Sequence, residues 1–230
     1  MALTRRNFVR AAGLAGAAGS GALLAGCARG AADSGANEPA AAGAAGAGVG
    51  PDGVSQVVIT MTPSSEPAAG FDPLVGWGAG EHVHEPLIQS TLIATDNNLA
   101  FVNDLATDYG CSEDGLTWTF HIREDVMFTD GVPLTAEDVA FTINGIVNGE
   151  AAEADLSMVD EARAVDATTC EIAMKRPNNA LLYTLAVMGI VPAHAYGPDY
   201  GEHPIGSGRY MLEQWDRGQQ VILRANPDYY

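Results

Sequence analysis

Asp114-Gly115-Leu116-Thr117-Trp118-Thr119-Phe120-His121-Ile122-Arg123-Glu124-Asp125-Val126-Met127-Phe128-Thr129-Asp130-Gly131-Val132-Pro133-Leu134-Thr135-Ala136-Glu137-Asp138-Val139 holds a hairpin return strand, a tight turn and a helix start in one run. Leu116, Trp118, Phe120 and Ile122 alternate with Thr117, Thr119 and His121, so one face of a strand is buried and the other wet. Ser112-Glu113-Asp114-Gly115 supplies the turn, and 107–111 the incoming strand. Val126-Met127-Phe128 runs extended into the Asp130-Gly131 turn. Thr135 then stands as an N-cap with Asp138 at the third helical position, an Asp form of the capping box. Ala136, Val139, Ala140, Ile143, Ile146 and Val147 lie on one helical stripe, and Asn148-Gly149 ends it.

Working outward, the pattern predicts a strand over 57–60, a helix starting at Glu85-Pro86-Leu87-Ile88 and a turn at 95–98. A second hairpin runs from about Ala162 through Asp166 to Met174. A helix is expected over 181–188, and a last hairpin joins 209–215 to 220–224 around Asp216-Arg217-Gly218. This is a mixed α/β chain rich in antiparallel hairpins.

The N-terminus carries other information. Thr4-Arg5-Arg6-Asn7-Phe8-Val9-Arg10 reads as a twin-arginine export signal. The Ala/Gly-rich stretch up to Gly26 is too short for a spanning helix and fits a removable signal of residues 1–26. Leu24-Ala25-Gly26-Cys27 is the pattern of a lipoprotein processing site, which makes Cys27 the lipid attachment point and the membrane a partner through that anchor. Residues 27–53 read as a flexible linker. From 28 to 53, 17 of 26 residues are Ala or Gly, with a coil reach of about 28 Å. The folded part is expected over 54–230.

Charge narrows the function. The chain has a net charge of −18. Removing residues 1–26 takes away Arg5, Arg6 and Arg10 and leaves 8 basic against 29 acidic residues, a net charge of −21. That excludes nucleic acid and anionic surfaces as partners and suits an extracytoplasmic domain, expected to be a monomer. Cys111 and Cys170 either pair in an oxidising compartment or stay as free thiols acting as small hydrophobes.

The run from Asp114 to Asn144 resembles the signature of the family 5 solute-binding proteins, the peptide/nickel class: D-G-x-x-[WY]-T-F-x-[LI]-R followed by V-x-F-x-D-G-x-P-[LF]-T-A-x-D-V. Gly206-Ser207-Gly208-Arg209-Tyr210 through Asn226-Pro227-Asp228-Tyr229-Tyr230 is similar to that family's G-[TS]-G-P-Y … N-P-x-Y-[WY], with Arg209 where Pro is usual. Phe71-Asp72-Pro73 is a third, weaker match. The resemblance implies a type II periplasmic-binding-protein-like fold, here the first lobe only, with antiparallel hairpins in an extra subdomain. In such proteins a second lobe follows the N-P-x-Y-[WY] segment, so the chain reads as an N-terminal fragment with that lobe absent.

The resemblance also implies the function: capture of a peptide or other small solute and delivery to the permease subunits of an ABC importer, with no cofactor. A nickel chelate is the alternative ligand. The loop after Asp72-Pro73 resembles the segment beside the ligand, making Trp77, Gly78 and Ala79 the candidate ligand-binding residues. Gly permits close approach of a ligand backbone and Trp77 offers an aromatic wall; packing between subdomains is the competing reading for Trp77. His82 and His84 form a minority metal option lacking a third ligand nearby in sequence. An extracytoplasmic hydrolase or a structural lipoprotein has no supporting motif, since Gly206-Ser207-Gly208 is neither a nucleophile elbow nor a P-loop. The carboxylates Glu113, Asp114, Glu124, Asp125 and Asp130 lie at turns and read as mostly solvated rather than catalytic; Trp118 and Phe120 read as core.

Overall fold

The computed structural model describes residues 47–49, 55–60, 66–67, 70–76, 86–149 and 154–230. Residues 1–46, which include the stretch read as an export signal, Cys27 and most of the stretch read as linker, lie outside the described residues. No helix among the described residues is long and apolar enough to cross a membrane.

Two four-stranded antiparallel sheets and one small hairpin organise the described chain. The first sheet has the order β1-β2-β10-β9, with β1 Ala47–Val49, β2 Ser55–Thr60, β9 Tyr210–Asp216 and β10 Gln220–Ala225. Strand β1 falls inside the stretch read as linker: Ala47 pairs with Val57 and Val49 with Ser55. Main-chain pairing asks nothing of the side chains, so an Ala/Gly/Val segment serves as an edge strand. Strand β10 lies between β2 and β9, opposing Leu223 to Val57 on one side and to Leu212 on the other, with a bulge between Ile222 and Leu223.

The second sheet has the order β5-β6-β8-β7: Ala106–Cys111, Thr117–Ile122, Thr169–Met174 and Val159–Ala164. The expected alternation is realised on its inner face, where Trp118, Phe120, Ile122, Cys170, Ile172 and Met174 are buried and His121 is exposed. Leu116 sits just outside the strand and is exposed. Helix α1, Ala136–Asn148, lays its buried stripe of Val139, Ala140, Ile143 and Ile146 over β7 and β8. At its start Thr135 has extended backbone. Its N–H and Oγ1 both donate to Asp138 Oδ2, at 2.9 and 3.2 Å. Asp138 is itself buried, and its Oδ1 accepts from the Ala193 N–H at 2.9 Å, so the capping carboxylate also ties the helix to the 190–193 segment.

The helix expected from Glu85-Pro86-Leu87-Ile88 is absent; residues 86–90 are an irregular segment, with Leu87 exposed and Ile88, Gln89 and Ser90 buried, leading to the β3 (Ile93–Thr95)–β4 (Phe101–Asn103) hairpin. Its carbonyls are already engaged. Leu87 O accepts from Tyr210 N (3.0 Å), Ile88 O from Gly208 N (2.8 Å) and Ser90 O from Ile190 N (2.9 Å). These three carbonyls are thereby taken from any amide four residues on. The second helix, α2, spans Leu181–Leu185, shorter than expected, and passes into a turn before Gly189.

Candidate functional site

The Phe71-Asp72-Pro73 match forms a turn held from several sides. Asp72 is 7% exposed. Its Oδ1 accepts from Leu74 N at 2.9 Å, its Oδ2 from the Tyr196 hydroxyl at 2.9 Å, and its carbonyl from Val75 N and Gly76 N. Burial raises the Asp72 carboxyl above the ordinary carboxylate range, against the pull of the Leu74 amide and the Tyr196 hydroxyl. Phe71 is fixed through both backbone groups, its N–H on Gly201 O (2.8 Å) and its carbonyl on Gln89 Nε2 (2.9 Å). Gln89 Nε2 lies 3.2 Å from the Tyr200 hydroxyl, which donates to Ile205 O. Leu74 closes the seat. Its Cδ2 lies 2.6 Å from where a Cβ on Gly145 would stand, so Leu74 would have to shift to admit a side chain at this glycine in the middle of α1. Glycine there costs about 1 kcal/mol relative to Ala.

Gly206-Ser207-Gly208 is a backbone crossing. A Cβ on Gly206 would stand 2.0 Å from Ile88 O, and one on Gly208 2.7 Å from it. Neither glycine has positive φ, so close approach rather than a left-handed backbone selects them. Thr129 N donates to Gly206 O at 2.9 Å, connecting the crossing to the Asp130-Gly131 turn.

Asn226-Pro227-Asp228-Tyr229-Tyr230 folds back on this crossing. Asn226 Nδ2 donates to Gly208 O (2.9 Å) and Asn226 N to Arg209 O (2.9 Å). The Tyr230 hydroxyl donates to Asp104 Oδ1 at 2.7 Å, while Asp104 Oδ2 accepts from Thr91. The Arg123 guanidinium lies 4.1 Å over the Tyr230 ring, and burial raises the Tyr230 hydroxyl pKa. Arg209, the departure from the family pattern, reaches over Tyr229 at 5.6 Å.

Trp77, Gly78 and Ala79, and His82 and His84, lie outside the described residues, as does Cys27. The described chain stops at Gly76 and resumes at Pro86, so the turn at 71–76 is the described approach to the candidate loop. Among the described residues no group of three His, Cys, Asp or Glu side chains is placed to hold a metal ion. Cys111 is exposed and Cys170 buried, both as free thiols. Strand β6 runs between their strands, which separates them by about 9.5 Å across the sheet, beyond the reach of about 7 Å for a disulfide. Glu113, Asp114, Glu124 and Asp125 are exposed as expected. Asp130 is exposed too, and pairs with His194 Nε2 at 2.7 Å; desolvation works against its ionisation, but His194 and the Val132 amide hold it below the usual carboxylate range. The residues missed by sequence reasoning are Gln89, Tyr196 and Tyr200. Tyr196 is 124 positions from Asp72, and no local pattern announces that pairing.

The model of the bacterial extracellular solute-binding proteins, family 5, middle region, matches residues 100–230, more than half of the chain. The chain belongs to this family. Its members are binding proteins rather than enzymes, and the fold is the mixed α/β fold of type II periplasmic binding proteins. Protein XP55 of Streptomyces lividans is 34% identical over 191 residues, which cover 79% of this chain and 34% of that protein. Among solved structures, NikZ from Campylobacter jejuni in complex with Ni(L-His) aligns with a TM-score of 0.64 at 25% identity, over 72% of this chain and 35% of that one. The oligopeptide-binding protein AppA from Bacillus subtilis, in complex with a nonapeptide, aligns with a TM-score of 0.57 at 29% identity, over 62% and 31%. The chain thus spans about a third of the length of the relatives it matches. Within this family 5 chain, the signature run builds the β6 strand, the Asp130-Gly131 turn and the capped start of α1, while the two glycine- and tyrosine-rich motifs meet at the Ile88 crossing.

Proposed function

We propose that the protein is the substrate-binding lipoprotein of an ABC-type importer. It is exported by the twin-arginine route, anchored through Cys27 outside the cytoplasmic membrane, and passes captured peptides to permease subunits. The turn at Phe71–Gly76 and the Trp77, Gly78 and Ala79 that follow it border the ligand in this reading. The observation that carries the peptide assignment is the likeness to AppA with its bound nonapeptide, at 29% identity. Nickel-chelate capture is the second reading, favoured by the likeness to NikZ with Ni(L-His).

Equilibrium dialysis of the full-length protein against an equimolar pool of synthetic tri- to nonapeptides, and separately against nickel with histidine, separates the two. Retention of peptides alone supports the first reading; retention of nickel-histidine alone replaces it with the second. Replacing Cys27 by Ala moves the protein from the membrane to the soluble fraction. Unchanged membrane retention refutes the anchor.

A further inference from the structure

We propose that Tyr196 is a positioning residue for ligand capture, its hydroxyl locking the Asp72 turn in the geometry that the ligand meets. The proposal rests on the reading above, in which the 71–76 turn borders the ligand.

The ring of Tyr196 packs edge-on against Phe141 at 5.5 Å and lies 5.3 Å from Tyr200, so its place in the core does not depend on the hydroxyl. The hydroxyl does one further thing: it donates to Asp72 Oδ2 at 2.9 Å. With Oδ1 committed to Leu74 N, that second bond fixes the carboxylate at both oxygens and leaves one rotamer. A buried carboxylate is a poor stabiliser, and apolar side chains of similar size would serve stability as well or better. What Asp72 supplies is direction. Its side chain and carbonyl together hold the amides of Leu74, Val75 and Gly76, and Leu74 is seated on Gly145 of α1. Phe71 is pinned in turn to Gly201 and Gln89. The turn is therefore preformed before any ligand arrives, which lowers the ordering cost of binding.

Tyr196→Phe deletes the hydroxyl and keeps the ring. In the full-length protein it is expected to weaken peptide retention, measured by dialysis against the same peptide pool, by about three- to tenfold. Hydrogen exchange is expected to rise across 72–76 while β6 and β8 keep their wild-type protection. Tyr183→Phe, at an exposed tyrosine whose ring packs on Phe101, serves as the matched control with unchanged retention. Wild-type affinity in Tyr196→Phe, with the wild type binding peptides, overturns the positioning role and leaves the functional reading standing. A loss of affinity accompanied by faster exchange throughout β6 and β8 also overturns it, because the effect is then global. If the wild-type protein retains no peptide at all, the functional reading falls and takes this inference with it.

Discussion

Gly206→Ala tests the crossing that joins the two motifs. A Cβ at this position stands 2.0 Å from Ile88 O and 2.6 Å from Ile88 C, whereas a carbon meets a carbonyl oxygen at about 3.3 Å or more. One backbone must therefore retreat by about 1.3 Å. The obstacle is main chain rather than the end of a flexible side chain, so rotamer change gives no relief. The retreat stretches the Gly208 N–H bond to Ile88 O beyond hydrogen-bonding distance and strains the Thr129 N–H bond to Gly206 O. Losing one buried bond costs about 1–3 kcal/mol, and overpacking adds about 1–3 kcal/mol. The backbone has ordinary φ here, so alanine recovers about 0.4–1 kcal/mol through the unfolded state. The net loss lies at about 1–5.6 kcal/mol and centres near 3 kcal/mol. For a domain of this size that lowers the thermal midpoint by about 5–15 °C. Circular dichroism melting reads it directly. Gly110→Ala is the internal control: nothing lies within 4 Å of its Cβ position, and φ is not positive, so its midpoint stays level or rises slightly. A Gly206→Ala midpoint within 2 °C of wild type would refute the crossing as the reason for this glycine.

Two further outcomes follow from the titratable groups. Burial raises the Asp72 carboxyl in the folded protein, so the folded state holds its proton to higher pH than the unfolded chain does, and Asp72 costs stability as pH rises above the unfolded value of about 3.9. Asp72→Asn removes that cost: the midpoint difference, variant minus wild type, is expected to grow from pH 4 to pH 7, and a difference that shrinks over that range contradicts the assignment. Burial also pushes the Cys170 thiol up to about 12 while Cys111 is exposed; in a Cys27→Ala background a thiol reagent at pH 8 is expected to label one cysteine rapidly in the folded protein and both after denaturation. Two rapid labels, or none, would contradict the placement of these thiols.

The local architecture was legible because the residues concerned speak for themselves. The 118/120/122 alternation, the Thr135–Asp138 box and the hairpin turns each depend on neighbours within a few positions, and each stands in the structure as read. The misread stretches are those whose backbone is committed elsewhere. Pro86-Leu87-Ile88 has the look of a helix start, yet its carbonyls serve Gly208 and Tyr210, more than a hundred residues away. Ala47–Val49 has no hydrophobic signature and becomes a strand by pairing with β2. The same limit governs the site. Asp72 was visible in its motif, but the partners that orient its turn, Tyr196, Gln89 and Gly145, are joined to it only by tertiary packing.

Native mass spectrometry of the full-length protein, purified without refolding, tests peptide capture directly. The expected result is a bound population several hundred daltons heavier than the protein, heterogeneous in mass, that is released on denaturation and sequences as peptides. A protein that carries only a single nickel chelate, or that remains unliganded in the presence of the peptide pool, would contradict it.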